Sequence, residues 1–198
     1  MLKKEIIWRE ILYQTIEKKK NKFQQKKLAK KFKFSLSTVN NALKIPRKSG
    51  IVKVTGRFFI LENPEKMLYL WATFRNLKKE TIYQTKVEKS PKEIESLMPP
   101  NVIYGGYSAY LERFKEAPAD YDKVFVYSEE KSLKKIEKRF PKRKGLSNLI
   151  VLKADKFLKQ YGKITTVGQT FVDIWNLSEW YSQDFYKDFK EKINAILA

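Results

Sequence analysis

Two aspartates that follow a pair of glycines are the residues of this sequence with the best spacing for catalysis. Gly105 and Gly106 are followed by 13 residues and then by Asp120 and Asp122, which precede the apolar run "KVFVYS". Glycines let a backbone approach a phosphate closely, and two carboxylates before one strand can share Mg²⁺ ions. The chemistry that such residues could support is a Mg²⁺-dependent reaction at a phosphate group.

The spacing is similar to the signature of nucleotidyltransferases, but three features weigh against catalysis. These enzymes need a third carboxylate on a neighbouring strand, and the only candidate, Asp173, falls in a predicted helix. Tyr107 stands where these enzymes usually have Ser, and the aspartates follow Pro118 in a segment typical of a turn. We therefore predict turn residues, with no metal, no cofactor and no enzymatic activity.

The sequence contains neither cysteine nor histidine. Their absence excludes disulfides, thiol nucleophiles, imidazole acid–base chemistry and zinc sites of the usual Cys/His kind. The segment "MLKKEIIWREIL" has acids inside its apolar pattern and no small-residue cleavage site, so it is not a signal peptide. No apolar run approaches the ~20 residues that a membrane-spanning helix needs. We expect a cytoplasmic protein.

Basic residues dominate the composition. Lys plus Arg number 42 and Asp plus Glu number 22, which gives a net charge of +20. Residues 1–65 hold 17 of the basic and 5 of the acidic residues, and residues 22–61 contain no acid. A polyanion relieves such self-repulsion, although thermophily or biased base composition also enriches lysine. The charge favours a nucleic-acid partner for the first third of the chain.

Apolar residues recur at helical spacing within this basic region. The pattern predicts an amphipathic helix over residues 2–18 and a shorter helix over residues 24–33. Ser35 is a suitable N-cap for a third helix, "LSTVNNALKI", which we expect Pro46 to end. Three short helices therefore precede residue 47.

A helical wheel divides the third helix into two faces. With ~100° per residue, the apolar arc contains Leu36, Val39, Ala42 and Leu43. The opposite face is small, polar or basic and contains Ser37, Asn41 and Lys44, with Thr38 and Asn40 at its margins. Asn can pair bidentately with adenine, and Lys can contact guanine or phosphate. This face predicts contacts in a DNA major groove.

A β-hairpin is predicted after the third helix, because "IVKV" and "RFFIL" are separated by Thr-Gly and Gly supplies a positive φ. Three helices followed by a hairpin are the order of a winged helix-turn-helix. "LAKKFKFSLSTVNNAL" resembles the helix-turn-helix of bacterial and archaeal regulators, with Lys33 where the turn usually has Gly. The predicted DNA-binding residues are Lys30, Lys31, Lys33, Ser37, Thr38, Asn40, Asn41, Lys44, Arg47, Lys48, Lys53, Thr55 and Arg57.

The second part of the chain alternates predicted strands and helices. "KVFVYS" and "NLIVLK" read as buried strands, and Ser90 and Ser128 as helix N-caps, with Glu93 completing a capping box after Ser90. The predicted fold class is α+β or α/β: a winged helix-turn-helix domain at residues 1–65, a connecting helix at 66–78 and a small α/β domain at 79–198, nucleotidyltransferase-like at most in topology.

Several segments of this second part, "GGYSAYLERF", "KVFVYSEE", "NLIVLKAD" and above all "TTVGQTFVDIWNL", resemble the carboxy-terminal domain of the AbiEi antitoxin family. That family is the regulator half of type IV toxin–antitoxin pairs. The resemblance implies an autorepressor that binds operator repeats in double-stranded DNA. It also implies a functional link to a nucleotidyltransferase-type toxin, which the antitoxin counteracts without necessarily touching it.

We therefore predict a sequence-specific, DNA-binding transcriptional regulator that acts as an autorepressing antitoxin. Three alternatives remain open: a nucleotidyltransferase that uses Asp120 and Asp122 with Mg²⁺, a general architectural nucleic-acid-binding protein, and a winged helix that binds protein. An architectural protein would bind nucleic acid without sequence preference.

Overall fold

The computed structural model describes residues 1–197, so the last residue of the predicted 79–198 domain lies outside the described residues. This part of the chain has a mixed α+β architecture with ten α-helices and two small sheets. None of these helices is long and apolar enough to cross a membrane. The helices are α1 Lys3–Ile16, α2 Gln25–Phe32, α3 Leu36–Lys48, α4 Pro64–Phe74, α5 Leu77–Glu80, α6 Pro91–Ser96, α7 Gly106–Phe114, α8 Glu130–Arg139, α9 Val167–Trp175 and α10 Ser182–Leu197, with a 3₁₀ helix at Leu158–Tyr161. The strands are β1 Lys22–Phe23, β2 Val52–Thr55, β3 Phe58–Leu61, β4 Thr81–Thr85, β5 Ile103–Gly105, β6 Val124–Ser128 and β7 Leu149–Lys153.

A three-stranded antiparallel sheet of order β1-β3-β2 accompanies helices α1 to α3. Strands β2 and β3 form the predicted hairpin, with Gly56 in its turn at a φ of 56°. Phe23 of β1 pairs with Phe59 of β3, and their rings stack with centroids 5.3 Å apart. Strand β1 was not predicted, because two residues are too few to show an alternating pattern.

Helix α3 begins as predicted but does not end at Pro46. The hydroxyl of Ser35 accepts the backbone N–H of Thr38 at 3.2 Å, which confirms the N-cap. Pro46 lacks the N–H that would pair with the carbonyl of Ala42, four residues earlier. The indole Nε1 of Trp8 donates to that carbonyl instead, at 2.8 Å in the core. The helix therefore continues past the proline.

Helix α1 is not the amphipathic helix predicted, because α3, α4, α9 and α10 all pack against it. Three of its five charged residues, Glu5, Arg9 and Glu10, are buried. Arg9 forms a bidentate ion pair with Asp155, at 2.7 and 2.9 Å, and donates to Oε1 of Gln169 at 3.1 Å. Burial disfavours the charge of Asp155, but the hydrogen bonds from Arg9 hold its pKa below the usual value. These contacts of Arg9 therefore join α1 to the second half of the chain.

The second sheet has the order β4-β7-β6-β5, with β6 parallel to β7 and both outer pairs antiparallel. Strands β6 and β7 are the two predicted buried strands. Val124 and Val126 of β6 belong to one hydrophobic cluster, which includes residues of α6 and α8. Phe125 and Tyr127 belong to the larger cluster, which includes residues of α1, α7 and α9. The sheet therefore separates two cores.

The helix caps of the second half were predicted with mixed success. Ser90 and Glu93 form the predicted capping box, since each side chain accepts the other residue's N–H, at 3.4 and 2.9 Å. Ser128 is not a cap, because pairing with β7 extends β6 through this residue and α8 follows Glu129. The predicted connecting helix is divided into α4 and α5, and the side chain of Asn76 caps α5.

Candidate nucleic-acid interface

Helix α3 presents the polar face that the helical wheel predicts. Val39 and Leu43 are fully buried, which fixes the rotation of the helix against the core. Ser37, Asn41 and Lys44 are exposed on the opposite side. Leu36 corrects the predicted apolar arc: as the first residue of the helix it lies beyond the edge of the core, and 48% of its surface is exposed.

The two asparagines of α3 differ in their hydrogen bonds. Arg47 donates from Nη1 to Oδ1 of the half-buried Asn40 at 3.0 Å, so these two predicted contacts form one unit. The side chain of Asn41 is exposed and makes no hydrogen bond within residues 1–197. Asn41 therefore keeps both the donor and the acceptor that bidentate pairing with adenine requires. Thr38 is half-buried and its hydroxyl lies 2.9 Å from that of Ser35.

Helix α2 and the turn after it supply lysines of two kinds. Lys30 and Lys33 are exposed, whereas Lys31 forms an ion pair of 2.6 Å with the buried Glu10. Glu10 compensates the charge of Lys31 and so weakens its predicted contact with phosphate. Lys33 adopts the left-handed conformation, with φ 53° and ψ 40°, at the turn position where Gly is usual. The turn therefore keeps its geometry at the expense of strain in a residue that has a Cβ atom.

The β2–β3 hairpin places three more predicted residues in solvent. Lys53, Thr55 and Arg57 are all exposed. The amino group of Lys53 lies 3.9 Å from a carboxylate oxygen of Glu62, and such an exposed pair contributes little. Arg57 forms no ion pair in the part of the chain that the structure describes. Lys48, near the end of α3, is likewise exposed.

A cleft of about 340 Å³ joins the starts of α2 and α3 to the tip of the hairpin. Arg57 and Leu36 both line it. The cleft also contains Gln24, Gln25 and Lys26, three residues that the sequence analysis did not assign to the interface. The signal that could have found them is their position at the start of the predicted second helix, within the acid-free residues 22–61. The lining thus combines amide groups, two cations and one exposed leucine.

The carboxylates considered for catalysis do not come together. Asp120 and Asp122 are exposed, and Asp122 accepts a hydrogen bond from the hydroxyl of Tyr181 at 2.5 Å. Asp173 is buried in α9, where it pairs with Nε of Arg75 at 2.8 Å. Burial raises the pKa of Asp173 above its usual value, against the opposite effect of Arg75. No group of three or more Asp, Glu, His or Cys residues within residues 1–197 is arranged to hold a metal ion.

Packing accounts for the first glycine of the pair that precedes these aspartates. Gly105 is the last residue of β5, and a Cβ atom on it would lie 2.7 Å from the ring of Tyr127. The hydroxyl of Tyr127 donates to Asp173 at 2.5 Å, so this ring has a fixed position. A phosphate ligand is not needed to explain the glycine.

No protein-family model, curated protein or solved structure matches this chain.

Proposed function

We propose that the chain binds double-stranded DNA through a winged helix-turn-helix in residues 1–65, with α3 as the recognition helix. The observation that carries the proposal is the exposed face of α3, where Ser37, Asn41 and Lys44 lie opposite the buried Val39 and Leu43. Their side chains are of the types that read base edges, and the core fixes the orientation of the helix that carries them. Base recognition is therefore assigned to this face.

The dimensions of the elements suit a major groove. A helix of 13 residues such as α3 is ~20 Å long at 1.5 Å per residue, and a B-DNA major groove ~12 Å wide admits one helix. Arg57 at the tip of the hairpin shares a cleft with Leu36 at the start of α3. When α3 lies in the groove, Arg57 is placed to contact the adjacent phosphates or the minor groove.

Phosphate contacts supply most of the affinity in this proposal. The exposed cations around α3 include Lys26, Lys30, Lys33, Lys44, Lys48, Lys53 and Arg57. Residues 22–61 contain no acid that would repel phosphate. Each phosphate contact releases counterions, so binding should weaken steeply as salt concentration rises. The expected partner is double-stranded operator DNA.

We further propose the narrower role of an autorepressing antitoxin linked to a nucleotidyltransferase-type toxin. The support for this role is the resemblance of residues 79–198, above all "TTVGQTFVDIWNL", to the AbiEi carboxy-terminal domain. A reporter gene placed behind the DNA upstream of the chain's own gene tests it. Co-expression of the protein should repress the reporter, and Asn41→Ala should relieve that repression.

Selection of bound duplexes from a random pool tests whether the DNA binding is sequence-specific. A regulator enriches a defined sequence, whereas an architectural protein enriches none. On the enriched duplex, Asn41→Ala should weaken binding by roughly 1–3 kcal/mol and leave binding to random DNA nearly unchanged. Asn194→Ala, at an exposed asparagine of α10, is the matched control and should change neither. An equal loss on both duplexes would show that Asn41 makes no base contact.

A further inference from the structure

Two loops enclose an open cleft of about 600 Å³ beside the second sheet. One loop lies between α8 and β7, at residues 141–148, and the other between α9 and α10, at residues 176–181. Phe125 of β6 and Ile150 of β7 also line the cleft, on the side of the sheet that faces the larger core. This cleft is lined by none of the residues that the proposed DNA interface uses.

The most exposed large apolar side chains of the cleft stand on these two loops. Trp180 has 78% of its surface exposed and Leu146 has 92%. The indole of Trp180 lies edge-to-face against Tyr181, with ring centroids 5.4 Å apart at 83°. Tyr181 is buried and its hydroxyl is bound to Asp122, so the neighbour that positions the indole is itself fixed. Exposed tryptophan beside a cleft is typical of a binding surface.

The charges around the cleft favour an anionic ligand. Of the two acids of the lining, Glu179 accepts from the amino group of Lys123 at 2.5 Å and is compensated, whereas Asp122 accepts from the neutral hydroxyl of Tyr181 and keeps its charge. Lys78 in the lining and Lys144 in the first loop form no ion pair within the described residues. Residues 141–148 carry three cations and no acid. Arg143 is paired with Glu88 at 3.7 Å, so Lys78, Lys142 and Lys144 remain against the single charge of Asp122, and the uncompensated charge around the cleft is positive.

We propose that this cleft binds single-stranded nucleic acid, with one unpaired base stacked on Trp180 and neighbouring phosphates at Lys78 and Lys144. Every base has a π-face, so stacking on an indole next to cations needs no particular sequence. A duplex cannot bind in this way, because its bases are already stacked on one another. A single strand suits this site better than a free mononucleotide, because the two lysines can contact phosphates on either side of the stacked base.

Tryptophan emission and the affinity for a short oligothymidylate test the proposal in the full-length chain. Trp8 and Trp71 are fully buried, so quenching reports on the two exposed indoles. The oligothymidylate should quench wild-type emission, and a duplex of equal length should not. Trp180→Ala should abolish the quenching and weaken binding about 5- to 150-fold. Trp175→Ala, at the other exposed tryptophan, is the matched control and should bind the oligothymidylate with wild-type affinity.

Neutralising both lysines, as Lys78→Gln and Lys144→Gln, should flatten the salt dependence of oligothymidylate binding by about 1.4 units of log K per log salt, because each phosphate contact with a single strand contributes ~0.7. Asn41→Ala separates this site from the DNA interface, because it should leave the quenching unchanged. Four results would overturn the proposal. They are unchanged oligothymidylate affinity in Trp180→Ala, equal quenching by the duplex, saturation by thymidine monophosphate at the same concentration, and tighter binding of a peptide of alternating Glu and Leu.

Discussion

Replacing Trp8 by phenylalanine tests whether its indole N–H allows helix α3 to continue through Pro46. In the folded protein this N–H donates to the carbonyl of Ala42 at 2.8 Å, and both residues are buried. Phenylalanine fills most of the space of the indole but cannot donate. We therefore expect Trp8→Phe to lower the free energy of unfolding. Pro46→Ala should remove much of that sensitivity, because it restores an N–H four residues after Ala42.

The magnitude follows from the two losses that Trp8→Phe causes. A buried carbonyl without a partner costs ~1–3 kcal/mol. The smaller ring also leaves a void and loses contact with Phe74, whose ring centroid lies 5.6 Å from that of Trp8; this adds ~1 kcal/mol. Only the first loss depends on the residue at position 46. The void is common to both backgrounds and cancels in a double-mutant cycle, which should give a coupling energy of ~1–2 kcal/mol.

Equilibrium urea unfolding of the four proteins of the cycle, followed by far-ultraviolet circular dichroism, measures this coupling. Circular dichroism is preferred because the substitution removes a fluorophore. Trp71→Phe is the control, since its indole N–H donates to Glu5 at 3.1 Å and should show no coupling to Pro46→Ala. If Trp8→Phe costs the same with Pro and with Ala at position 46, the indole does not replace the missing N–H and the explanation is wrong.

Three further predictions concern the turn, the hairpin and the carboxylates. Lys33→Gly should raise the free energy of unfolding by about 0.5–1 kcal/mol, because glycine adopts a positive φ without strain. Lys33→Ala keeps the Cβ atom and should leave the free energy of unfolding unchanged. Urea unfolding midpoints of the two variants and the wild type measure the difference. Arg57→Ala should flatten the salt dependence of log K for duplex DNA by about one unit of slope, and an unmoved slope would remove the hairpin from the interface. In the double substitution Asp120→Asn, Asp122→Asn, the exposed Asp120 should contribute only a few tenths of a kcal/mol to the loss of stability. Asp122, whose carboxylate accepts the hydroxyl of the buried Tyr181, should add ~1 kcal/mol. Millimolar Mg²⁺ should not raise the melting temperature of the wild type. Mg²⁺-dependent incorporation of labelled nucleotide that disappears in the double variant would contradict the prediction that the two aspartates are turn residues without a catalytic role.

The sequence alone determined the features that depend on residues within a few positions of one another. The N-caps at Ser35 and Ser90 are formed by side chains that reach N–H groups three residues ahead. The hairpin turn follows from Gly56, and the polar face of α3 follows from helical spacing between Val39 and Leu43. Local hydrogen bonds and helical periodicity depend only on residues that are close in sequence, so they could be predicted.

The limits of local patterns show at the ends of α3. Spacing placed Leu36 on the apolar arc, but only the packed structure decides where the core stops along the helix, and Leu36 lies beyond it. Proline usually ends a helix, but Trp8, 34 positions away from Ala42, supplies the missing hydrogen bond. Neither outcome can be read from the residues adjacent to the helix.

Tertiary structure alone decided which polar residues are buried and which apolar residues are not. Helix α1 carries five charged residues that would mark a solvent face, yet Arg9 is buried because Asp155, 146 positions later, provides its counter-charge. Trp180 would be expected in a core, yet it stands in solvent beside the cleft. A buried charge is stable only when a distant partner compensates it, and a large apolar side chain is buried only where distant elements leave room for it. Both conditions depend on contacts between residues that are distant in sequence, so a local sequence pattern cannot predict them.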